Sequence, residues 1–232
     1  EMVKYGAKVL GGCCGTTPAY VAKLKKMVAT VNASVVKKKP RQLAVCTPLK
    51  TVVVDQPRIV GERINPTGKK RFKQALRDND MNYILSQAIE QIDAGADILD
   101  VNVGSPDIDE KEMMIKTVKA LQGVTNLPLQ LDSTIPEVLE AALRVYNGKP
   151  IVNSVNGEEE VLDTILPIVA KYGGAVIGLA LDENGIPPTA EGRVEIAKRI
   201  RDKAMSYGIP KEDIIIDCLT LTVSAEQKAA AE

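Results

Sequence analysis

The chain has 232 residues, which is enough for one large domain or two small ones. Its 30 basic residues balance its 30 acidic residues, so no overall charge favours nucleic acid or an anionic membrane as a partner. The chain contains no histidine, which excludes Ser-His and Cys-His nucleophiles and histidine metal sites from these residues. No apolar run approaches the roughly 20 residues that a membrane span needs. The four cysteines lack a framework spacing, which indicates a reducing compartment, and we expect the cytoplasm.

The N-terminal stretch LGGCCGTTP places two adjacent cysteines, Cys13 and Cys14, in a glycine-rich turn. The segment before it predicts a short strand, and Pro18 is well placed to begin a helix. The Cα atoms of adjacent residues are only about 3.8 Å apart, whereas a disulfide usually needs about 4.4 Å or more. Any partners of these thiols must therefore come from elsewhere in the sequence.

A change of character follows the first helix. The stretch 31–57 combines a basic cluster, several prolines and short β-branched runs, which predicts a linker with one small hairpin. We therefore expect three parts: the end of one domain at 1–30, the linker at 31–57, and a second domain at 58–232.

The second domain alternates short apolar runs with amphipathic stretches. This rhythm predicts six βα units and a parallel sheet covered by helices. A further helix is predicted to begin at SAEQKAAAE, residues 224–232. An eight-unit barrel typically needs about 250 residues, so the pattern fits either an open six-stranded sheet or a barrel cut short.

Every predicted strand ends in carboxylate, amide or hydroxyl side chains. In chain order these are Glu62, Asn65, Asp100, Asn102, Asp132, Ser133, Asn153, Ser154, Asn156, Asp182 and Asp217. A single such residue is usually a helix N-cap, but α/β folds hold their ligands at this edge. Six strands that end this way predict a ligand site.

The residue types at these ends narrow the ligand. No lysine or histidine ends a strand, which disfavours Schiff-base and imidazole chemistry; we expect Arg63 to pair with an acid. A carboxylate accepts two parallel hydrogen bonds from a guanidine-like edge, and an asparagine matches a ring nitrogen beside a carbonyl. A 2-amino-4-oxo pterin has that edge. The alternative is a divalent metal held by Asp100, Asp132 and Asp217.

Six segments resemble, in order, the pterin-binding barrel of cobalamin-dependent methionine synthases and of the related methyltetrahydrofolate:corrinoid methyltransferases. They are GERINPTGKK, DILDVNVGSPDIDE, LQLDST, IVNSVNGE, IGLALDENGIP and IIIDCLTL. The stretch GGCCGTTP resembles the closing strand of the homocysteine-binding barrel, which precedes the pterin barrel in methionine synthases. The resemblance therefore implies an α/β chain. It would hold a (β/α)8 TIM barrel truncated after about six units, preceded by the last βα unit of a second barrel.

The resemblance also implies an activity. The N5-methyl group of 5-methyltetrahydrofolate would pass to cob(I)alamin on a separate corrinoid-binding domain or protein, and in the intact parent on to homocysteine. Zinc in the homocysteine domain would be bound by three cysteines; Cys13 and Cys14 match two of them, and the third would lie upstream of Glu1.

Residue roles follow from the same resemblance. Asp132, Asn153 and Asp217 match pterin-ring ligands, and Asp132 with Asn153 would help to stabilise the N5-protonated form. The surrounding polar shell is matched by Glu62, Asn65, Asp100 and Asn102.

The sequence departs from the family pattern because the seventh and eighth strands are missing, with an asparagine that the family uses near N5. We therefore expect a piece of a longer chain, and this piece alone to be a poor catalyst. Three alternatives remain: a stand-alone corrinoid methyltransferase, a non-catalytic pterin-binding module, and a dihydropteroate synthase. The cysteine turn argues against the first, and GERINPTGKK matches the last poorly.

Overall fold

The computed structural model describes residues 2–31 and 40–220, which form two compact units divided between Arg41 and Gln42. In the first unit a short 3-10 helix, Met2–Tyr5, precedes helix α1, Pro18–Ala29. The hydroxyl of Thr17 accepts a hydrogen bond from the backbone N–H of Tyr20 and caps α1, and proline occupies its first turn. The strand predicted before the cysteine turn is not formed, because residues 7–13 pair with no other strand of the described chain.

The second unit contains eight strands among its described residues. A hairpin is formed by β1 (Ala44–Cys46) and β2 (Thr51–Val53). The parallel sheet consists of β3 (Val60–Ile64), β4 (Ile98–Val101), β5 (Leu129–Asp132), β6 (Ile151–Val155), β7 (Ala175–Leu179) and β8 (Ile214–Asp217).

Helices connect the strands of the sheet. They are α2 (Lys70–Arg77), α3 (Met81–Asp93), α4 (Glu110–Val124), α5 (Pro136–Val145), α6 (Glu159–Tyr172) and α7 (Ala190–Ser206). The strands lie side by side in chain order from β3 to β8, all parallel. This sequential order is that of a (β/α)8 barrel wall and not of a doubly wound sheet, in which the order reverses. The predicted fold class is confirmed, with six βα strands described.

Alternation along the strands separates two faces of the sheet. Leu99, Val101, Leu131, Val152 and Val176 belong to the main core, which also contains buried residues of α2 to α7. The residues between them, such as Asp100 and Asp132, face the other way, into the barrel interior.

The barrel interior is layered along the strands. At the N-terminal ends Ile98, Ile151 and Ala175 form an apolar layer with Val45 and Val52 of the hairpin. Two residues further along β4 and β6, the interior positions become Asp100 and Asn153. The polar layer therefore lies directly above an apolar layer, and the hairpin covers that apolar layer at the N-terminal end of the barrel.

Hydrogen bonds join the hairpin to the segment between α5 and β6. The backbone groups of Cys46 and Lys149 exchange two hydrogen bonds of 3.0 Å each, and the hydroxyl of Tyr146 donates to the carbonyl of Cys46 at 3.0 Å. The predicted linker thus contains the hairpin that was expected, and this hairpin packs against the barrel. Residues 32–39 of the linker lie outside the described residues.

The helix predicted at residues 224–232 also lies outside the described residues. Among the helices that the structure describes, none combines the length and the apolar character needed to cross a membrane.

Candidate functional site

The centre of the candidate site is a pair of opposed residues on neighbouring strands. Asp132 ends β5 and lies in register with Asn153 on β6, so both side chains point to the same face of the sheet. The amide Nδ2 of Asn102, beyond the end of β4, donates to Oδ2 of Asp132 at 3.0 Å. The structure therefore brings together three residues that the sequence predicted.

Asp100 lies one layer deeper in the barrel and is only 3% exposed. Its Oδ1 accepts a hydrogen bond of 2.5 Å from Nε2 of Gln130, its register partner on β5, and the side chain of Asn153 also donates to it. Burial, together with the negative charge of Asp132, raises the pKa of Asp100 to about 7. A buried carboxyl thus lies directly beneath the partly exposed one.

Burial also raises the pKa of Asp132, and the hydrogen bond from Asn102 opposes this shift. The carboxylates of Glu110 and Glu62 raise it further. Glu110 opens helix α4, and its Oε1 accepts a hydrogen bond of 2.5 Å from the hydroxyl of Ser133. The site is therefore strongly acidic and rich in hydrogen-bond acceptors.

Residues of the first strand lie at the margin of this cluster. The side chain of Glu62 is 63% exposed and pairs with Lys69 at 3.3 Å. Asn65 is buried, and its Oδ1 accepts from the backbone N–H of Thr67, so it shapes the loop after β3. The expected acidic partner of Arg63 is not found among residues 2–31 and 40–220, where Glu62 pairs with Lys69.

The last two strands contribute differently. Asp217 is exposed at the end of β8, where its Oδ1 accepts from the backbone N–H of Leu219 at 2.8 Å. Asp182, beyond β7, pairs with Arg199 at 3.3 Å and shapes its own loop. Asp217 thus lies on the interior side of the sheet, in register with Leu179, while Asp182 is held by a helix.

Three polar residues of this region escaped the sequence prediction. Gln130 lies between two leucines in a buried strand. A polar residue within such an apolar run could have been recognised from the sequence as a candidate site residue. Glu110 looked like an ordinary residue of the first helical turn. Gln91 of α3 accepts a hydrogen bond from the backbone N–H of Arg63 at 2.7 Å, which only the fold could reveal.

A cavity of about 550 Å³ lies next to the polar cluster. Its wall includes Gly104, Ser105 and Ile108 from the loop after β4, Glu110 of α4, and Ile135 from the loop after β5. Its size falls in the range of small-molecule sites. Glu110 is the member of the polar cluster that lines this cavity, whereas Asn102, Asp132 and Asn153 do not line it.

The metal-binding alternative gains no geometric support. Within the residues that the structure describes, no three cysteine or acidic side chains lie close enough to hold a metal ion.

The cysteine pair of the N-terminal turn is a separate matter. Cys13 and Cys14 are both exposed, with their Sγ atoms 3.8 Å apart. Hydrogen bonds from Cys14 lower the pKa of Cys13. Two thiolates on a tetrahedral zinc, with bonds of about 2.3 Å, lie about 3.8 Å apart, so this pair fits two positions of such a site.

Comparisons with known proteins add a family to this geometry. The family described as "Pterin binding enzyme" matches residues 61–231, which include the whole polar cluster. The chain belongs to the pterin-binding enzyme family. The family described as "Homocysteine S-methyltransferase" matches residues 1–28, which include both cysteines of the turn.

Curated relatives of this chain include two methionine synthases. That of Mycobacterium leprae is 34% identical and that of Mycobacterium tuberculosis 33% identical, each over 98% of this chain. The chain spans 20% of the length of each relative. The recognition of the methionine synthase pattern in the sequence is confirmed, for this part of those proteins.

Solved structures support the fold. Dihydropteroate synthase from Yersinia pestis has a TM-score of 0.61 at 15% identity, over 82% of this chain and 70% of that one. The enzyme from Xanthomonas albilineans in complex with 7,8-dihydropteroate has a TM-score of 0.59 at 21% identity, over 82% and 72%. At these identities the likeness concerns the barrel architecture.

Proposed function

We propose that the interior polar cluster binds the pterin ring of a folate. The observation that carries this proposal is the joining of Asn102, Asp132 and Asn153 at the carboxyl ends of three adjacent strands, within the segment that matches the pterin-binding family. A pterin presents an amino group and ring nitrogens beside a carbonyl. Carboxylates and amides are the groups that complement such an edge.

Each side chain has a role in this proposal. Asp132 accepts hydrogen bonds from ring N–H groups, and Asn153 offers both a donor and an acceptor at its side. Asn102 orients Asp132. Asp217 closes the site from β8, with Glu62 and Asn65 at the opposite margin.

We further propose that the chain contributes to methyl transfer. In this proposal the methyl group on N5 of 5-methyltetrahydrofolate moves to cob(I)alamin on a corrinoid-binding domain, and in a complete protein on to homocysteine. Similarity to methionine synthases over 98% of the chain supports this assignment, as does the match of residues 1–28. Domains at 1–30 and 58–232, joined by a linker at 31–57, are part of the same proposal.

The chain's own contribution would be positional and electrostatic, while the corrinoid supplies the nucleophile. As the bond between N5 and the methyl carbon breaks, the electron pair of that bond stays on N5, so N5 must carry a proton for the folate to leave as a neutral amine. The negative charge of Asp132 favours a protonated, positively charged N5 during transfer, because a nearby negative charge stabilises that form. Asp132 and Asn153 are the residues placed to do this.

Cys13 and Cys14 would provide two thiolate ligands to zinc in a complete homocysteine-binding domain, where zinc would activate the substrate thiol. All four cysteines of the chain are free, which suits a reducing compartment such as the cytoplasm.

Two other functions share the same site. A stand-alone corrinoid methyltransferase would have no use for the cysteine turn that matches the homocysteine family. A non-catalytic pterin-binding module would bind the ring without transfer.

One assay separates methyl transfer from pterin binding without transfer. The purified chain is mixed with 5-methyltetrahydrofolate and free cob(I)alamin without oxygen, and the cobalt spectrum reports methyl transfer. The Asp132→Asn variant and the Asp182→Asn variant are run beside it. Transfer that is lost only with Asp132→Asn supports the proposal. Binding without transfer would contradict methyl transfer by this chain alone, and turnover of a pterin pyrophosphate with 4-aminobenzoate would assign a dihydropteroate synthase.

A further inference from the structure

Asp100 is a carboxyl that the proposed pterin contacts do not use. It lies below Asp132 on the interior face, is 3% exposed, and is bounded beneath by the apolar layer that includes Ile98 and Ile151. Its hydrogen-bond donors are two neutral amides, Gln130 and Asn153. Nothing in this arrangement supplies a positive charge.

The charged side chains that face Asp100 are acidic on both sides. Asp132 comes from β5 and Glu62 from β3, while β6 contributes only the amide of Asn153. Within residues 40–220 neither Asp100 nor Asp132 forms an ion pair with a lysine or arginine, and the nearby Lys69 is bound to Glu62. A buried carboxyl next to a partly exposed one, without a cation, cannot ionise at low cost while its neighbour is charged, so the pair carries one charge.

We propose that Asp100 serves as a neutral carboxylic acid beneath the pterin site, so that ligand binding is coupled to uptake of one proton at this side chain. This inference rests on the proposed pterin-binding function. Asp132, nearer the mouth and held by Asn102, keeps the negative charge that the ligand needs. The proton on Asp100 prevents a second charge from forming behind it.

The coupling follows from burial. A ligand over Asp132 removes the remaining water from the layer below, which disfavours ionised Asp100 still further. Because the pKa of Asp100 in the free protein is about 7, part of the population is ionised at mildly alkaline pH and must take up a proton when the ligand binds. Affinity then falls as pH rises above about 7, by at most about tenfold for each pH unit.

The test is calorimetric titration of the 232-residue chain with 5-methyltetrahydrofolate at about pH 8. It is run in phosphate and in Tris buffers, whose ionisation enthalpies differ. The dependence of the measured heat on the buffer gives the number of protons taken up, and a purely structural residue would leave that number unchanged. We expect nearly one proton for the wild type and for Asp182→Asn, and none for Asp100→Asn, whose amide imitates the neutral acid.

Affinity at different pH values provides the second readout. We expect the affinity of the wild type to decline above about pH 7, and that of Asp100→Asn to stay constant between about pH 6 and pH 8. Asp132→Asn should bind weakly at every pH. Loss of binding by Asp100→Asn at every pH would show that Asp100 acts as an ionised ligand and would overturn the inference, as would wild-type binding without proton uptake.

A measurement without ligand separates this inference from the proposed function. If the wild-type chain binds no folate, pterin binding by this chain is refuted, and the state of Asp100 is read from infrared spectra instead. The difference between wild type and Asp100→Asn should show the carbonyl band of a protonated carboxylic acid at about pH 6, and this band should vanish by about pH 9. Its absence at the lower pH would overturn the assignment of a neutral Asp100.

Discussion

Asn102 and Asp132 are joined across two neighbouring strands by a hydrogen bond of 3.0 Å from the amide nitrogen of the first to the carboxylate of the second. The amide oxygen of Asn102 in turn accepts from the backbone N–H of Gly104 at 2.9 Å. The amide is therefore held at both ends, and its donor is aimed at Asp132 before any ligand arrives. Such preorganisation is what a site needs in order to bind a neutral heterocycle through few groups.

The first prediction concerns this orienting bond. Asn102→Ala should weaken binding of 5-methyltetrahydrofolate about fivefold, since the loss of one hydrogen bond to a half-buried carboxylate costs about 1 kcal/mol. Titration calorimetry measures the change. Asn184→Ala, in the exposed loop after β7, is the matched control and should leave affinity unchanged. An equal loss of affinity in both variants would contradict the role of Asn102 in orienting Asp132.

The second prediction concerns the hairpin that closes the barrel. Gly148 has a φ of 145°, and a Cβ atom placed there would lie 2.1 Å from the carbonyl oxygen of Cys46. Gly148→Ala should therefore lower the free energy of unfolding by about 1–3 kcal/mol or more, because backbone strain and a clash act together. Thermal unfolding would report this as a fall of several degrees in Tm.

Gly123→Ala is the control for that experiment. Gly123 lies within α4, and a Cβ atom there would meet no other atom within 4 Å. Alanine is the better helix former, so this variant should be more stable by about 0.5–1 kcal/mol. If Gly148→Ala were as stable as the wild type, the hairpin would not be fixed to the sheet as described.

The third prediction concerns the ion pair between Lys149 and Asp213 at the same end of the barrel. The atoms Nζ and Oδ1 are 2.5 Å apart, and the carboxyl side chain is 2% exposed. Lys149→Met should destabilise the protein by about 1–3 kcal/mol, because the buried carboxylate loses its hydrogen bond and ion pair to the lysine. Urea denaturation measures the difference.

Lys171→Met provides the comparison for the third prediction. Lys171 pairs with Glu140 at 2.7 Å, but its side chain is 58% exposed. Exposed pairs contribute about 0–1 kcal/mol, so this variant should unfold almost as the wild type does. Similar losses in the two variants would contradict the buried character of the Lys149–Asp213 pair.

The fourth prediction is a pH dependence of stability. The pKa of Asp100 is raised from 3.8 to about 7 in the folded chain, so the native state binds more protons than the unfolded state between these values. The contribution of Asp100 to stability therefore falls as pH rises from about 4 to about 7. Above about pH 7 the ionised Asp100 lowers the free energy of unfolding by about 2–4 kcal/mol relative to its contribution at about pH 4.

Chemical denaturation of the wild type and Asp100→Asn at about pH 4, 6 and 8 checks this sign. The stability of the variant relative to the wild type should increase with pH through this window. A relative stability that is constant with pH, or that declines, would show that Asp100 titrates normally in the folded protein.

The sequence predicted the six strands, their parallel arrangement and the edge at which Asp132, Asn153 and Asn102 meet. These features follow from local periodicity and from the rule that α/β folds bind ligands at strand ends. Periodicity could not reveal contacts between distant segments. The bond from Tyr146 to Cys46 spans 100 residues, so the hairpin looked like part of a linker.

The site shows the same division. Glu62 and Asp217 were predicted from their positions at strand ends, yet their exposure and their local bonds to Lys69 and Leu219 depend on loops that periodicity does not describe. Gln130 was missed because it lies inside β5, and the prediction rested on residues at the ends of strands. Its partner Asp100 was found, but only the fold shows that it lies a layer deeper than Asp132.

The most direct test of the account is calorimetric titration of the chain with 5-methyltetrahydrofolate, at about pH 6.5, for the wild type, Asp132→Asn and Asp182→Asn. Asp132 lies in the polar cluster, whereas Asp182 is an acid at a strand end that is paired with Arg199. We predict binding by the wild type and Asp182→Asn, and an affinity at least about tenfold lower for Asp132→Asn, because a charge-assisted hydrogen bond contributes about 1.5–3 kcal/mol. Equal affinities in all three proteins would contradict the assignment of the pterin site to this cluster.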